Sequence, residues 1–287
     1  MNTAASFNPK VDAQYKVRDV VPDFQTFLDR WAAASLWARA NLRGHLNIQY
    51  GPSAEETLDV FLPHAQTHTA PVQILIHGGY WRALSKDDFS FLAAAIVPAS
   101  AVAIVINYAL CPAVTLDRIV DQCRRALVWT SRNAATYGGD SGRLHVTGHS
   151  AGAHLAAMLA ATDWSRFESG LHPALRSICG VSGLYDLEPL RHTSIQTELR
   201  LSDHEAARNS PILLQPAPGT RALLIAGGAE THAFRTQTAA YANTLQTQGI
   251  TCDTMEIPGR HHYSIIDELC ADTSPARQAW LNMTLNA

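Results

Sequence analysis

The chain has 287 residues, 47% of them hydrophobic and 16% charged, enough for one large α/β domain or two small ones. A formal charge of −3 offers no electrostatic footprint for nucleic acid or an anionic membrane, and no apolar run nears the ~20 residues that cross a bilayer. The five cysteines (Cys111, Cys123, Cys179, Cys252 and Cys270) lack paired spacing and Met1–Lys10 lacks a secretion-signal core, so free thiols in the cytoplasm are expected.

Residues 1 to about 45 read as a helix-rich N-terminal arm, with Trp31 and Trp37 as apolar anchors. From Tyr50 onward, short β-branched runs alternate with longer helical patterns. Thr57–Leu62 alternates apolar and polar residues like a half-buried strand. Val72–Ile76 (V-Q-I-L-I) and Val102–Ile106 (V-A-I-V-I) are mostly apolar, as strands covered on both faces are. Further strands are expected at Leu144–Thr147, Ser177–Val181, Ala222–Ala226 and Thr254–Ile257. Helices are expected at Leu116–Tyr137, Ala151–Ala161 and His232–Gln248, the first stopped by Gly138-Gly139 and the last by Gly249.

This alternation predicts a mostly parallel central sheet flanked by helices, with the first strands as an antiparallel edge. No repeat, low-complexity tract or linker divides the chain, so 1–287 reads as a single domain. Asp186–Pro218 carries no strand pattern and suits either a small cap over a site or a plain connection.

Gly148-His149-Ser150-Ala151-Gly152 matches G-x-S-x-G between an expected strand and an expected helix, the setting of a nucleophile elbow. Such a turn lifts the serine hydroxyl over the helix N-terminus, where free N–H groups favour negative charge. The competing role for Ser150 is to cap that helix. Ile76-His77-Gly78-Gly79-Tyr80-Trp81, directly after a buried strand, is a second signal. Acyl transfer needs N–H donors for an oxyanion; Ala151 after the serine and Gly79 and Tyr80 in this loop are the candidates.

The base and acid should follow in the order serine, acid, histidine. His261 and His262, just past the last expected strand, are the candidate bases. Glu230 follows the strand Ala222–Ala226 in a glycine turn and is the favoured acid, with Asp186 as competitor. His149 and His154 lie close to Ser150 in sequence but are fixed in the elbow and its helix. His64 and His68 have metal-like spacing without a third ligand, so no metal is expected.

With these residues in place, the chain resembles the α/β-hydrolases, and H-G-G-Y-W at 77–81 with G-H-S-A-G-A-H-L at 148–155 resembles the serine-dependent kynurenine formamidases, or arylformamidases. Ala13-Gln14-Tyr15, Val21-Pro22-Asp23, Leu58–Pro63 and Gly183–Leu187 are similar to further segments of that family. The resemblance implies the α/β-hydrolase fold, Ser150 as nucleophile, His262 as base and Glu230 as acid. Glu230 stands where the family usually has aspartate, and Ser264 where an aspartate is common. It also implies a tryptophan-catabolic substrate such as N-formyl-L-kynurenine, cleaved to formate and kynurenine without a cofactor. The alternative is a carboxylesterase acting on small acyl esters or carbamates. Trp81 and Tyr185 could face an aromatic substrate or simply pack in the core. No nucleic acid or membrane partner is expected, and a homodimer is the assembly considered.

Overall fold

Continuous apolar runs can only be strands if both faces are covered, and that requirement organises the molecule. The computed structural model describes residues 7–64, 69–167 and 173–286. Eight strands form one sheet: β1 (Gly44–Gln49), β2 (Thr57–Phe61), β3 (Ala70–Ile76), β4 (Val102–Ile106), β5 (Gly139–His149), β6 (Leu175–Val181), β7 (Arg221–Gly227) and β8 (Cys252–Ile257). Their spatial order is β1-β2-β4-β3-β5-β6-β7-β8. β1 and β2 pair antiparallel, β2 joins β4 antiparallel, and every later pair is parallel. Flanked by helices, this is the α/β-hydrolase architecture.

Three features differ from the sequence reading. The antiparallel edge exists, but β2 pairs with β1 and β4 rather than with β3. β1 itself lies where the helical arm was expected to end. Trp31 is 3% exposed and anchors the arm, whereas Trp37 is 56% exposed. Six positions apart on the helix Phe24–Asn41, the two rings point about 120° from each other, so one face cannot bury both.

The parallel register aligns the strand ends. Ile76 sits beside Ile106 and Gly148, Gly148 beside Gly180, and Gly227 beside Ile257. Loops leaving β3, β5, β6, β7 and β8 therefore converge on one edge, where open α/β sheets bind ligands. The helix Ala151–Ala160 packs against β5 and β6, and the C-terminal helix Pro275–Asn286 packs against β3. That last helix accounts for two buried polar positions of the central strands, Gln73 and Thr147. Trp280 Nε1–H donates to Thr147 Oγ1 at 2.7 Å, Gln73 donates to the same hydroxyl at 2.9 Å, and Thr284 donates to Gln73 Oε1 at 2.8 Å. All five cysteines are free thiols. Among the described residues no helix is long and apolar enough to cross a membrane.

Candidate active site

Ser150 joins β5 to the helix Ala151–Ala160 with φ 57° and ψ −117°. A non-glycine residue held there costs about 1–3 kcal/mol, which its surroundings must offset. Its N–H donates to the Val181 carbonyl at 2.8 Å, while its own carbonyl accepts from Ala153 N–H at 3.0 Å and His154 N–H at 3.2 Å. The turn also needs a close approach: a Cβ on Gly152 would lie 2.1 Å from the Ile76 carbonyl oxygen. Ser150 makes no side-chain bond to the helix it precedes, so the capping alternative is not what its hydroxyl does. Its Oγ instead lies 3.0 Å from His262 Nε2.

His262 stands in the turn after β8. Ser264 Oγ accepts from the His261 N–H at 3.0 Å and tightens that turn, which is the local work of the serine at this position. His149 Nε2–H donates to the His262 carbonyl at 2.8 Å, and the two rings lie 4.8 Å apart. Burial drives the His149 pKa well below the ordinary histidine value, so it is a neutral donor. His154 is turned the other way, donating to the Asn209 carbonyl at 2.7 Å, with its pKa pushed down to about 4 by burial.

Glu230 Oε2 lies 2.9 Å from His262 Nδ1. Its other oxygen accepts from Gly227 N–H at 2.7 Å and from the Ser182 hydroxyl. The turn bends back on itself, with Glu230 N–H bonded to the Gly227 carbonyl at 3.1 Å, so the glutamate's extra methylene is taken up locally. Asp186 spends its carboxylate elsewhere, accepting from Glu188 N–H at 3.0 Å in a two-residue turn. The carboxylate brought to His262 is thus that of Glu230.

The H-G-G loop packs directly on the elbow. A Cβ on Gly78 would lie 2.8 Å from the His149 carbonyl oxygen and 3.3 Å from Ser150 Cβ. Gly79, Tyr80 and Trp81 follow with φ of 102°, 51° and 55°. Successive left-handed residues curl the main chain so that consecutive N–H groups face one side, a geometry suited to an anion. Gly79 N–H and Tyr80 N–H belong to this curl, and Ala151 opens the helix after Ser150.

Trp81 and Tyr185, candidates for either a substrate-facing or a core role, take the core role. Trp81 is fully buried with its ring edge-on to His154 at 4.9 Å, and Tyr185 is fully buried and stacked on Tyr241 at 4.2 Å. Both are core residues and neither lines the cavity above Ser150.

That cavity, about 250 Å³, is walled by residues the motifs did not flag. Tyr15, Val17, Leu28 and Trp31 come from the N-terminal arm, Ile195 from the 186–218 excursion, and Tyr263 from the turn carrying His262. Tyr80 closes one side, its hydroxyl donating to the Tyr15 carbonyl at 2.6 Å. The arm is tied down by Asn8 N–H to the His192 carbonyl, Ser194 N–H to Asp12, and Thr231 Oγ1–H to the Gln14 carbonyl. Of the rejected metal pair, His64 is exposed and His68 lies outside the described residues. Among the described residues no three His, Cys, Asp or Glu side chains gather as metal ligands.

Comparison with known proteins adds a family context. The BD-FAE family model matches residues 58–218. The kynurenine formamidase of Danio rerio is 31% identical over 269 residues, spanning 92% of this chain and 87% of the relative. That of Salmo salar is 33% identical over 238 residues, spanning 81% and 79%. Among solved structures, a Silicibacter sp. TM1040 protein described as a candidate thioesterase superposes with a TM-score of 0.84 at 25% identity. It covers 96% of this chain and 99% of that one.

Proposed function

We propose that this chain, which belongs to the kynurenine formamidase family and is a hydrolase of the α/β-hydrolase superfamily, cleaves aryl formamides such as N-formyl-L-kynurenine through a formyl-serine intermediate. The observation that carries the reading is the relay from Ser150 Oγ through His262 to Glu230, at the floor of a cavity walled by aromatic rings.

Glu230 holds the His262 Nδ1–H, which leaves Nε2 as the acceptor facing Ser150. Ser150 Oγ attacks the formyl carbon as its proton passes to His262 Nε2. The carbonyl oxygen becomes an oxyanion that the N–H groups of Gly79, Tyr80 and Ala151 stabilise. His262 then protonates the departing aryl amine, and the C–N bond breaks. Water, deprotonated by the same histidine, then attacks the formyl ester; the C–Oγ bond breaks, His262 returns the proton to Ser150, and formate leaves. An anilide nitrogen is weakly basic and leaves more readily than an alkyl amine, so machinery suited to esters serves an aryl formamide. We read the whole chain as one hydrolase domain, and its free thiols suit a reducing cytoplasm.

The test is the ratio of kcat/KM for N-formyl-L-kynurenine to that for p-nitrophenyl acetate. Substantial turnover of both, lost together in Ser150→Ala, is expected. Rapid ester cleavage beside a negligible rate on the formamide overturns the formamidase reading and favours a carboxylesterase.

A further inference from the structure

Three cations stand on the cavity wall, and they are not equivalent. Lys16 is paired with Asp12 at 2.6 Å, and Arg82 is paired with Glu198. Arg18 has no carboxylate against it among the described residues. Its guanidinium sits 4.9 Å from the centroid of the Phe24 ring. Its charge and a hydrogen bond to the Tyr263 phenol both oppose the upward pKa shift that burial imposes there. Tyr263 follows His262 directly and lines the same cavity. A ring face and one phenol oxygen orient a guanidinium without using all five of its N–H donors, so Arg18 is aligned and still able to bind. Asp19, its neighbour on the wall, likewise has no ion pair among the described residues.

A cation without a carboxylate partner next to an anion without an ion pair, at the rim of a cavity whose other two cations are already paired, is complementary to a zwitterion. We propose that Arg18 is a specificity-determining residue that binds the α-carboxylate of an aryl amino-acid substrate, with Asp19 facing the α-ammonium. The inference rests on the formamidase reading above and names what that reading leaves open, which is how an amino-acid formamide is told from a neutral one. The aryl ring enters the cavity toward Ser150 while the charged end stays at the rim, where a fork of N–H donors matches a carboxylate.

The test compares N-formyl-L-kynurenine with its α-carboxamide, which has the same ring and scissile bond and no carboxylate. In the wild-type enzyme the carboxylate substrate is expected to have the higher kcat/KM. Arg18→Met retains the stem over Phe24 and removes the charge; it should lower the carboxylate-to-carboxamide ratio of kcat/KM roughly tenfold, mainly through KM. Arg18→Lys should recover part of that ratio, since it restores charge without the fork. Both substrates are measured on one preparation, so partial misfolding of a variant cancels from the ratio. A ratio that Arg18→Met leaves unchanged overturns this inference and leaves the formamidase reading standing. If the wild type turns over neither formamide yet cleaves p-nitrophenyl acetate, both fall together.

Discussion

The floor and the roof of the cavity are held by different forces. Ser150, Glu230 and His262 stand on turns at the ends of β5, β7 and β8; main-chain bonds fix the first two, Ser150 N–H to Val181 and Glu230 N–H to Gly227, and the His149 ring holds the His262 carbonyl. The roof comes from the helices Pro9–Tyr15 and Val17–Val20, and it is tied to the body largely through side chains: Asp12 to Ser194, Thr231 to Gln14, and Gln237 to Tyr15. A floor built on strand ends keeps its main-chain course when a reacting side chain is removed. A roof tied by single side chains loosens one bond at a time. Changes in the floor should therefore appear in kcat, and changes in the roof in KM.

The sharpest break on the floor is loss of the proposed nucleophile or the proposed base. Ser150→Ala and His262→Ala should each lower kcat by about 10,000-fold or more, with the thermal midpoint moving only a few degrees. Steady-state kinetics beside thermal melts check both halves. Glu230→Gln should follow at about 1,000-fold or more, because an amide N–H facing Nδ1 favours the imidazole tautomer that presents Nε2–H to Ser150. Asp186→Asn should stay within about threefold, since that carboxylate closes a local turn. The reverse pattern would return the acid's role to Asp186.

His149 tests the side-chain tie within the floor. Its ring donates to the His262 carbonyl, which makes it a candidate positioning residue. His149→Phe removes the donor and leaves a buried carbonyl unpaired, and kcat should drop roughly 10- to 100-fold. His149→Gln keeps an N–H at similar reach and should recover much of that loss. Equal damage from both variants would mean the ring's packing matters and the hydrogen bond does not.

Much of the floor is legible in the sequence because its signals are local. G-H-S-A-G between a β-branched run and a small-residue helix, H-G-G after V-Q-I-L-I, and Glu230 in a glycine turn each combine a strand end with a special turn. β1 gave no such signal. Its side chains are almost all exposed, so G-H-L-N-I-Q carries no core-facing alternation. The place of β2 beside β4 is a property of sheet order, which no window of sequence encodes. Trp81 and Tyr185 sit next to telling motifs, but an aromatic ring near a site is equally suited to the core, and only packing separates the two. The roof was hidden for a related reason: Tyr15, Val17 and Trp31 reach the cavity from more than 100 residues before Ser150. Their role depends on how the arm folds back.

Acid should strain the body before it affects the roof. His77, His145 and His154 are buried, and burial pushes each pKa from 6.5 down to about 4. The unfolded chain therefore binds more protons than the folded one between those values. Stability is complete above pH 6.5 and is lost as pH falls toward 4, at about 1.4 kcal/mol per histidine per pH unit. Urea midpoints measured from pH 7 to pH 4.5 should fall steeply, and His145→Gln should flatten the slope. A midpoint independent of pH over this range refutes the neutral burial of these rings.

The gentlest change is to the roof itself. Asp12 is nearly inaccessible; its Oδ1 accepts from Ser194 N–H at 2.7 Å and from the Ser194 hydroxyl at 2.8 Å, while Oδ2 pairs with Lys16 at 2.6 Å. Asp12→Ala removes all three ties at once but leaves Asn8 N–H on His192 and Thr231 on Gln14. The arm should stay attached and sample more positions, so that substrate meets an ordered wall for only part of the time. Apparent affinity falls by the fraction of the competent arrangement. KM for the aryl formamide should rise about two- to fivefold, with kcat within a factor of two, because the bound substrate still meets an unchanged Ser150, His262 and Glu230. A fall in kcat at constant KM would show that the arm takes part in holding the floor, and the two regions would then be one.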